Sequence, residues 1–288
     1  KVFLVFRKIG DEMRAVIDIG TNSVRFLRQV GTKLKEDVYY TRLGEDTHLD
    51  GQIKPKAYER TLSVIKTALA ELESEAILIT ATSALREAKN REAILARFYE
   101  DLGREIIVLS GEDEARVNYL GATQAFLGEA LVLDIGGGST EVSTKEGERI
   151  KTLSLPIGAL RLKAFSSAYE PLETYLSPFL EFGKLDLPLV GTGGTITSLA
   201  LIAQNLSAYD EAKIHGYLLT KEKLEKMSLA ILENPNVLLS PLPEKRRDIL
   251  PQGLEILLNM MAILEKTSLF VSTRDGLYGL QSEGLSVR

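Results

Sequence analysis

Short apolar runs alternate with amphipathic stretches along this chain, and the order in which they occur is repeated. In the first half they predict three consecutive strands, followed by helices and strands in alternation. The predicted strands cover residues 14–19, 24–30, 38–41, 76–81 and 106–109. The predicted helices cover residues 55–72, 91–102 and 112–126. This order predicts a mixed sheet that opens with a hairpin and is covered by helices.

The second half runs through the same order. Its predicted strands cover residues 131–135, 140–144, 149–155, 187–190 and 269–272, and its predicted helices cover 196–203 and begin near 158, 221 and 248. We therefore predict an α/β fold of two related domains, residues 1–127 and 128–288, each a mixed sheet covered by helices. Residues 1–12 are expected to be an upstream extension, because the organised pattern begins just after Met13.

The composition excludes several classes of functional site and partner. With 288 residues, 44% of them hydrophobic and 26% charged, the chain has an ordinary globular composition. A net charge of −5 argues against a broad nucleic-acid-binding surface. The absence of cysteine rules out disulfides, thiolate nucleophiles and zinc–thiolate sites. No apolar run is long enough for a membrane span or a signal peptide, so a cytoplasmic protein without membrane partners is expected.

Two copies of one short phrase carry most of the functional signal. Asp18-Ile-Gly-Thr-Asn-Ser23 and Asp134-Ile-Gly-Gly-Gly-Ser139 each follow an apolar strand. Such a turn aims backbone N–H groups at phosphate oxygens, while a carboxylate at the strand's end suits Mg²⁺. One copy alone is a weak signal, since glycine turns commonly just reverse the chain. Two copies predict a phosphate or nucleotide held in a cleft between the two domains.

A third glycine turn has two readings. Gly191-Thr-Gly-Gly-Thr195 follows an apolar strand and opens a helix. The amides of Gly193, Gly194 and Thr195 are placed to meet an anion at the helix N-terminus, or the glycines provide a tight connection with positive φ. There is no P-loop sequence, so phosphate binding would follow a different design.

An acidic cluster, Ser110-Gly-Glu-Asp-Glu-Ala-Arg116, lies at the start of a predicted helix. Carboxylates there commonly cap the helix, but three acids exceed what a cap needs. One of them is a candidate general base for a water that attacks phosphorus. Arg86 and Arg25 are candidate phosphate ligands, although a loop arginine is more often simply solvated.

The chain resembles the exopolyphosphatase and guanosine pentaphosphate phosphohydrolase (Ppx/GppA) family, within the actin, sugar kinase and heat-shock ATPase superfamily. The resemblance rests on Asp18–Arg25, on Arg42-Leu-Gly44 followed by Gly51, and on the runs 81–90, 109–116 and 133–141. It is good up to about Ala203 and thin afterwards. It implies two ribonuclease H-like (actin-like) domains with an interdomain cleft.

The resemblance also implies residue roles. Glu114 would be the base that activates water, and Asp134 and Glu141 would hold Mg²⁺. The residues that would bind phosphate are Thr21, Asn22, Ser23, Arg25, Arg86, Gly137, Gly138, Ser139 and Thr140. Near the C-terminus, Asp275-Gly-Leu-Tyr-Gly279 lacks an arginine that family members often have, and Arg247 is a candidate substitute.

The function expected from these observations is Mg²⁺-assisted hydrolysis of the terminal phosphate of inorganic polyphosphate or guanosine pentaphosphate. Two alternatives stay open: an ATP-dependent kinase or ATPase of the same superfamily, and a non-catalytic sensor of guanosine polyphosphates. A metal site together with a base argues against a pure sensor. A homodimer also stays open as a partner arrangement.

Overall fold

The computed structural model describes residues 4–6, 15–72, 77–124, 126, 128–165, 171–283 and 285–287. They fall into two compact units. The first contains the chain up to Gly121 and again from Gly276, and the second is Ala122–Asp275. The expectation for residues 1–12 lies mostly outside the described residues, where only the strand Leu4–Phe6 is defined.

The elements follow the predicted order closely. The strands are β1 Leu4–Phe6, β2 Ala15–Ile19, β3 Val24–Val30, β4 Lys33–Tyr39, β5 Ile77–Ala81, β6 Ile107–Val108, β7 Leu131–Ile135, β8 Thr140–Glu146, β9 Arg149–Leu155, β10 Leu189–Thr192, β11 Leu218–Thr220, β12 Ser268–Val271 and β13 Leu285–Val287. The helices are α1 Thr47–Asp50, α2 Pro55–Ala70, α3 Ser83–Glu87, α4 Arg91–Leu102, α5 Gly111–Ala122, α6 Ala159–Ala164, α7 Leu172–Leu176, α8 Leu180–Gly183, α9 Gly193–Ala203, α10 Glu211–Ile214, α11 Lys221–Glu233, α12 Pro235–Leu238, α13 Glu244–Arg247, α14 Leu250–Ile263 and α15 Gly276–Glu283, with a 3-10 turn at Ser177–Phe179.

The first unit is built on a five-stranded sheet in the order β4-β3-β2-β5-β6. β2, β3 and β4 are antiparallel neighbours, whereas β5 and β6 run parallel to β2. One face packs a core that includes Ile17, Phe26 and Tyr58, and the opposite face packs Val16 and Leu27 with side chains of α15. Because both faces are covered, β2 is apolar apart from Asp18 near its end.

The second unit repeats this plan. Its sheet has the order β11-β12-β10-β7-β8-β9, in which β7, β8 and β9 are antiparallel and β10 and β12 run parallel to β7. β7–β10 and β12 therefore correspond to the strands of the first unit, and β11 is an additional edge strand. The sequence analysis did not predict β11, since three residues are too few to show a period.

The C-terminal helix packs on the first unit. Leu277 and Leu280 of α15 join the core on β2 and β3, and the Gly276 amide donates to Asn118 Oδ1 at 2.6 Å. A Cβ at Gly279 would overlap the Val117 carbonyl, so glycine lets α15 touch the backbone of α5. The predicted division placed these residues in a domain spanning 128–288, whereas the compact units divide after Gly121 and again before Gly276.

Two further findings concern expectations from the sequence. Arg86, predicted in a loop, lies in the short helix α3, which follows β5 directly. Among the described residues, no helix is both long enough and apolar enough to cross a bilayer.

Candidate functional site

The two glycine turns have the same backbone geometry. The Gly20 amide donates to the Ser23 carbonyl at 2.9 Å, and the Gly136 amide donates to the Ser139 carbonyl at 2.9 Å. The first turn connects β2 to β3, and the second turn connects β7 to β8. The repeat found in the sequence is therefore a repeat in structure.

The carbonyl groups of the second turn are bound by the segment that follows β9. The amides of Ala159 and Leu160 donate to the carbonyls of Gly136 and Gly137, and Arg161 Nε donates to the Gly138 carbonyl. A trans peptide directs its N–H opposite to its C=O, so the N–H groups of Gly137, Gly138 and Ser139 are directed away from this segment. Successive amides arranged in this way favour an anion.

The first turn is supported in the same manner. The amides of Arg42 and Gly44 donate to the carbonyls of Asn22 and Thr21, each at 3.0 Å. A Cβ at Gly44 would overlap the Thr21 side chain, and a Cβ at Gly158 would lie 2.5 Å from the Gly138 nitrogen. Each turn is thus in close contact with a glycine, Gly44 after β4 or Gly158 after β9.

Asp18 forms an ion pair with its cross-strand neighbour. Arg25 lies opposite Asp18 in the β2–β3 register, with 3.3 Å between Arg25 Nη2 and Asp18 Oδ2. Arg25 Nη1 also lies 3.8 Å from Glu36, and Thr80 donates to Asp18 Oδ1. Arg25, predicted to bind phosphate, is therefore held between two carboxylates.

Asp134 has an acid at the equivalent position. Glu141 lies opposite Asp134 in the β7–β8 register, as Arg25 lies opposite Asp18. Glu141 is only 2% exposed and accepts a hydrogen bond from Ser154 Oγ at 2.7 Å. Two ionised acids at directly opposite positions repel each other, and a cation bound between them relieves the repulsion.

This pair fits a magnesium ion that completes its coordination with water and phosphate. Mg²⁺ prefers oxygen ligands and is commonly held by one or two carboxylates plus substrate phosphates. Within the described residues, no cluster of three or more His, Asp or Glu side chains is placed to hold a metal. Asp134 and Glu141 therefore match a partial, oxygen-only ligand set, and a full protein cage is not found in this part of the chain.

The acidic cluster divides into a cap and an inward-facing acid. Ser110 Oγ accepts the Asp113 amide at 3.0 Å and donates to the Asp113 carboxylate, which caps α5. Glu114 instead accepts from Arg86 Nη1 at 2.7 Å, and its side chain is 15% exposed. Arg86 also donates to the Leu109 carbonyl. The capping explanation holds for Asp113 and not for Glu114.

Sheet topology explains why Arg86 and Glu114 meet. α3 and α5 begin just after β5 and β6, which are parallel neighbours. The carboxyl ends of parallel strands meet at one edge of the sheet, where ligand sites commonly form. β2, which ends with Asp18 and Ile19, runs parallel beside β5 and brings Asp18 to the same edge.

The surroundings of Glu114 shift its acidity. Burial raises the pKa of Glu114 above its ordinary value, while the Arg86 guanidinium and a hydrogen bond from Thr82 oppose the rise. The nearby Asp18 charge adds to it. A carboxylate with a raised pKa beside a fixed cation has the properties expected of a general base.

The third glycine turn packs against the second acid. Gly193 has φ +83°, and a Cβ there would overlap Asp134 Oδ1. Thr195 Oγ1 donates to the Ile135 carbonyl at 3.1 Å, so this hydroxyl anchors α9 to β7. A Cβ at Gly194 would overlap the Arg246 guanidinium, whereas Arg247 Nε donates to the Leu242 carbonyl. Arg246 is thus the arginine beside this turn. Arg247, the candidate substitute for the arginine missing near the C-terminus, stays a prediction.

The other predicted residues divide by how their side chains are used. Thr140 donates its hydroxyl to the Ile157 carbonyl and is fully buried. Asn22 and Ser139 are buried within their turns, and Thr21 Oγ1 is buried without a hydrogen-bond partner. The roles of these residues toward a ligand stay predictions.

Sequence reasoning missed Thr82, Arg161 and Arg246. Thr82 bonds Glu114, Arg161 supports the second turn, and Arg246 lies against the third. Thr82 lies inside a run that the sequence analysis singled out, so a signal existed for it. Arg161 and Arg246 are remote from the turns in sequence, and nothing local links them.

The close approach of Gly193 to Asp134 gives a stability prediction. Gly193→Ala is expected to cost roughly 2–4 kcal/mol, because the added methyl displaces a carboxylate and the backbone has positive φ. Gly147→Ala is the matched control, since Gly147 has φ +62° with nothing within 4 Å of a Cβ, and should cost about 1 kcal/mol. Urea denaturation of both variants measures the difference, and equal losses would contradict the close packing.

Comparison with known proteins identifies the family. The profile of the Ppx/GppA phosphatase family matches residues 27–278. The match therefore continues well past Ala203, where the sequence resemblance was thin. The structure is similar to that of the Aquifex aeolicus PPX-GPPA enzyme, with a TM-score of 0.75 and 29% identity over 97% of this chain and 99% of that one. The predicted α/β fold of two related domains, each a mixed sheet covered by helices, is confirmed.

Three curated relatives agree with this match. Exopolyphosphatase 2 of Mycobacterium tuberculosis is 35% identical over 70% of this chain and 74% of its own length. The guanosine-5'-triphosphate,3'-diphosphate pyrophosphatase of Vibrio atlanticus is 30% identical over 93% of this chain and 59% of its own. A bifunctional 3-dehydroquinate synthase/phosphatase of Fusobacterium nucleatum is 30% identical over 95% of this chain, which spans only 46% of that relative. The chain belongs to the Ppx/GppA phosphatase family.

Proposed function

We propose that this protein hydrolyses the terminal phosphoanhydride bond of inorganic polyphosphate or guanosine pentaphosphate. Membership of a phosphatase family supports hydrolysis, and relatives named for each substrate support the two candidates. The observation that carries the proposal is Glu114, a largely buried carboxylate 2.7 Å from Arg86 and close to Asp18. A cap or a surface ion pair does not need this arrangement.

Glu114 is the proposed general base. It accepts a proton from the water that attacks the terminal phosphorus, and the bond to the next phosphate breaks as the new P–O bond forms. Arg86 orients the carboxylate through the 2.7 Å contact and opposes the rise in its pKa. The negative charge that accumulates on the phosphate oxygens is stabilised by backbone amides fixed in advance.

The proposed phosphate ligands are the amides of the glycine turns. The turn carbonyls are bound by the segments after β4 and β9, so the peptide N–H groups of Gly137, Gly138 and Ser139 are directed to the other side. The side chains of Thr21, Asn22 and Ser23 and the guanidinium groups of Arg25 and Arg86 remain proposed contributors. Thr140, Thr195 and Arg247 each use a side-chain donor in the internal hydrogen bonds described above. The amides of Gly193, Gly194 and Thr195 remain proposed contributors, as do Thr140 and Arg247.

Asp134 and Glu141 are the residues proposed to hold Mg²⁺. The ion, when bound, would neutralise phosphate charge and polarise the bond that breaks. Ser154 fixes the Glu141 carboxylate from the neighbouring strand, and the backbone of Gly193 limits where the Asp134 carboxylate can lie. These contacts hold both carboxylates in place.

A phosphate-release assay tests the function directly. With Mg²⁺ present, the protein should release phosphate from polyphosphate, from guanosine pentaphosphate or from both, and much more slowly from ATP. Addition of EDTA should abolish the release, and excess Mg²⁺ should restore it. Equal hydrolysis of ATP would favour the ATPase alternative, and binding without any release would favour the sensor.

Glu114→Gln tests the base. The amide keeps the shape of the side chain but accepts no proton, so kcat should fall by roughly 10²–10⁴ with KM within about threefold of the parent. Glu112→Gln is the matched control, because Glu112 lies exposed on the same helical turn and should leave both constants unchanged. Parent activity in Glu114→Gln would remove Glu114 from the mechanism.

The pH profile tests the electrostatics of Glu114. Its raised pKa means that the base is lost by protonation at a higher pH than for an ordinary glutamate, so kcat/KM should fall on the acid side accordingly. Arg86→Gln removes a contact that lowers this pKa, so the acid limb should move to still higher pH. Arg86→Lys keeps the charge and should move it less. An unchanged limb in Arg86→Gln would contradict the coupling.

A further inference from the structure

Glu141 lies in the middle of a row of three residues across the second sheet. In the pairing of β7, β8 and β9, Glu141 is opposite Asp134 on one side and opposite Ser154 on the other. Directly opposite residues on neighbouring antiparallel strands project from the same face of the sheet. The three side chains therefore share one face, and Glu141 is flanked by an acid and by a hydroxyl.

The equivalent row of the first unit has neither the second acid nor the hydroxyl. Asp18 on β2 is opposite Arg25 on β3, and Arg25 is opposite Val38 on β4. A valine side chain has no hydrogen-bond donor. The hydroxyl at the third position of the row therefore occurs in the unit that has an acid at the second position.

Ser154 binds one oxygen of the Glu141 carboxylate. Its Oγ donates to Glu141 Oε1 at 2.7 Å, a short and strong hydrogen bond of a hydroxyl to a carboxylate. Glu141 is only 2% exposed, so little water can take the place of this bond. Because β8 lies between β7 and β9, the bond draws Oε1 toward β9 and away from Asp134.

This hydrogen bond bears on which divalent ion the two acids prefer. Mg²⁺ demands near-ideal octahedral geometry with oxygens at about 2.0–2.1 Å, whereas Ca²⁺ accepts about six to eight oxygens at about 2.3–2.6 Å and often takes both oxygens of one carboxylate. A carboxylate that has one oxygen held by a serine offers its other oxygen in a fixed direction. Such a ligand suits the smaller ion and opposes coordination by both oxygens.

We propose that Ser154 is a positioning residue through which the pair Asp134 and Glu141 selects Mg²⁺ over Ca²⁺. This inference deepens the proposed function and rests on the Mg²⁺ site proposed there. By holding Glu141 Oε1, Ser154 opposes the rotation that would bring both carboxylate oxygens to one ion. A serine that only satisfied a buried carboxylate would affect the binding of both ions alike.

Ser154→Ala separates these two roles. The dissociation constants of Mg²⁺ and Ca²⁺ are obtained from the rise of the thermal midpoint with MgCl₂ or CaCl₂, without any phosphate substrate. The variant should bind Mg²⁺ about tenfold more weakly, because the orientation of a ligand is lost. Its binding of Ca²⁺ should be essentially unchanged, since Ca²⁺ tolerates flexible ligands. The preference for Mg²⁺ should therefore fall about tenfold.

Two further variants distinguish the hydrogen bond from a general effect on β9. Ser154→Thr keeps a hydroxyl at the same position and should keep the parent's preference for Mg²⁺. Thr152→Val is the matched control, because it removes a hydroxyl from the same face of β9 at a position opposite Ser143. Both ions should bind this control as they bind the parent. Equal weakening of both ions in Ser154→Ala, or a lowered preference in Thr152→Val, would overturn the proposal.

Ion binding and phosphate release are measured separately, so the two proposals can fail separately. If the parent releases phosphate and Ser154→Ala leaves both dissociation constants unchanged, the role of Ser154 is rejected and the proposed hydrolysis stands. If the parent releases no phosphate but Ser154→Ala lowers the preference for Mg²⁺, the hydrolysis is rejected and the role of Ser154 stands. A parent whose midpoint rises with neither ion would overturn the cation site itself.

Discussion

The ion pair between Arg86 and Glu114 is the interaction on which the candidate chemistry depends. A carboxylate that is 15% exposed is poorly solvated, and burial alone would favour its protonated form. The guanidinium at 2.7 Å opposes this effect, whereas the Asp18 charge reinforces it. The net effect is a pKa above the ordinary value, so this carboxylate holds a proton more readily than a solvated one. Two helices deliver this pair because the strands before them are parallel neighbours.

The internal repeat shows how one backbone design has diverged. Both units have the same turn, in which the first glycine amide donates to the serine carbonyl. In each unit a further glycine, after β4 or β9, supports the turn. At the cross-strand position next to the turn, the first unit has Arg25 opposite Asp18, and the second has Glu141 opposite Asp134. An acid paired with an arginine already has a neutralising charge and has little electrostatic need of a metal. Two opposed acids lack such a charge and favour a bound cation. This exchange of charge is the reason why we propose that Mg²⁺ binds in the second unit.

Local patterns were sufficient for most of the strands, for the repeat and for the two acids near the ends of β2 and β7. Each of these is encoded within a few residues, by alternation, by a glycine turn or by a buried run. The local sequence distinguished Glu114 from a helix-capping residue only in part. Its partner Arg86 is remote along the chain, and the direction of the Glu114 side chain depends on the sheet topology. The return of α15 to the first unit could not be predicted either. It depends on Gly279 meeting the backbone of α5, a contact between segments far apart in sequence.

The net charge of the chain constrains how an anionic substrate is bound. At −5 the protein as a whole repels a polyanion at long range, so charge steering does not explain recognition. Affinity for such a substrate must come from groups that act at hydrogen-bond distance, namely oriented peptide N–H groups and individual arginines. Such groups work only if their positions are fixed before the ligand arrives. The glycines that support the turns fix these positions, as do the hydrogen bonds from α6 and from the segment after β4 to the turn carbonyls. The rigidity of the turns, more than the total positive charge, therefore sets how strongly the proposed substrate binds.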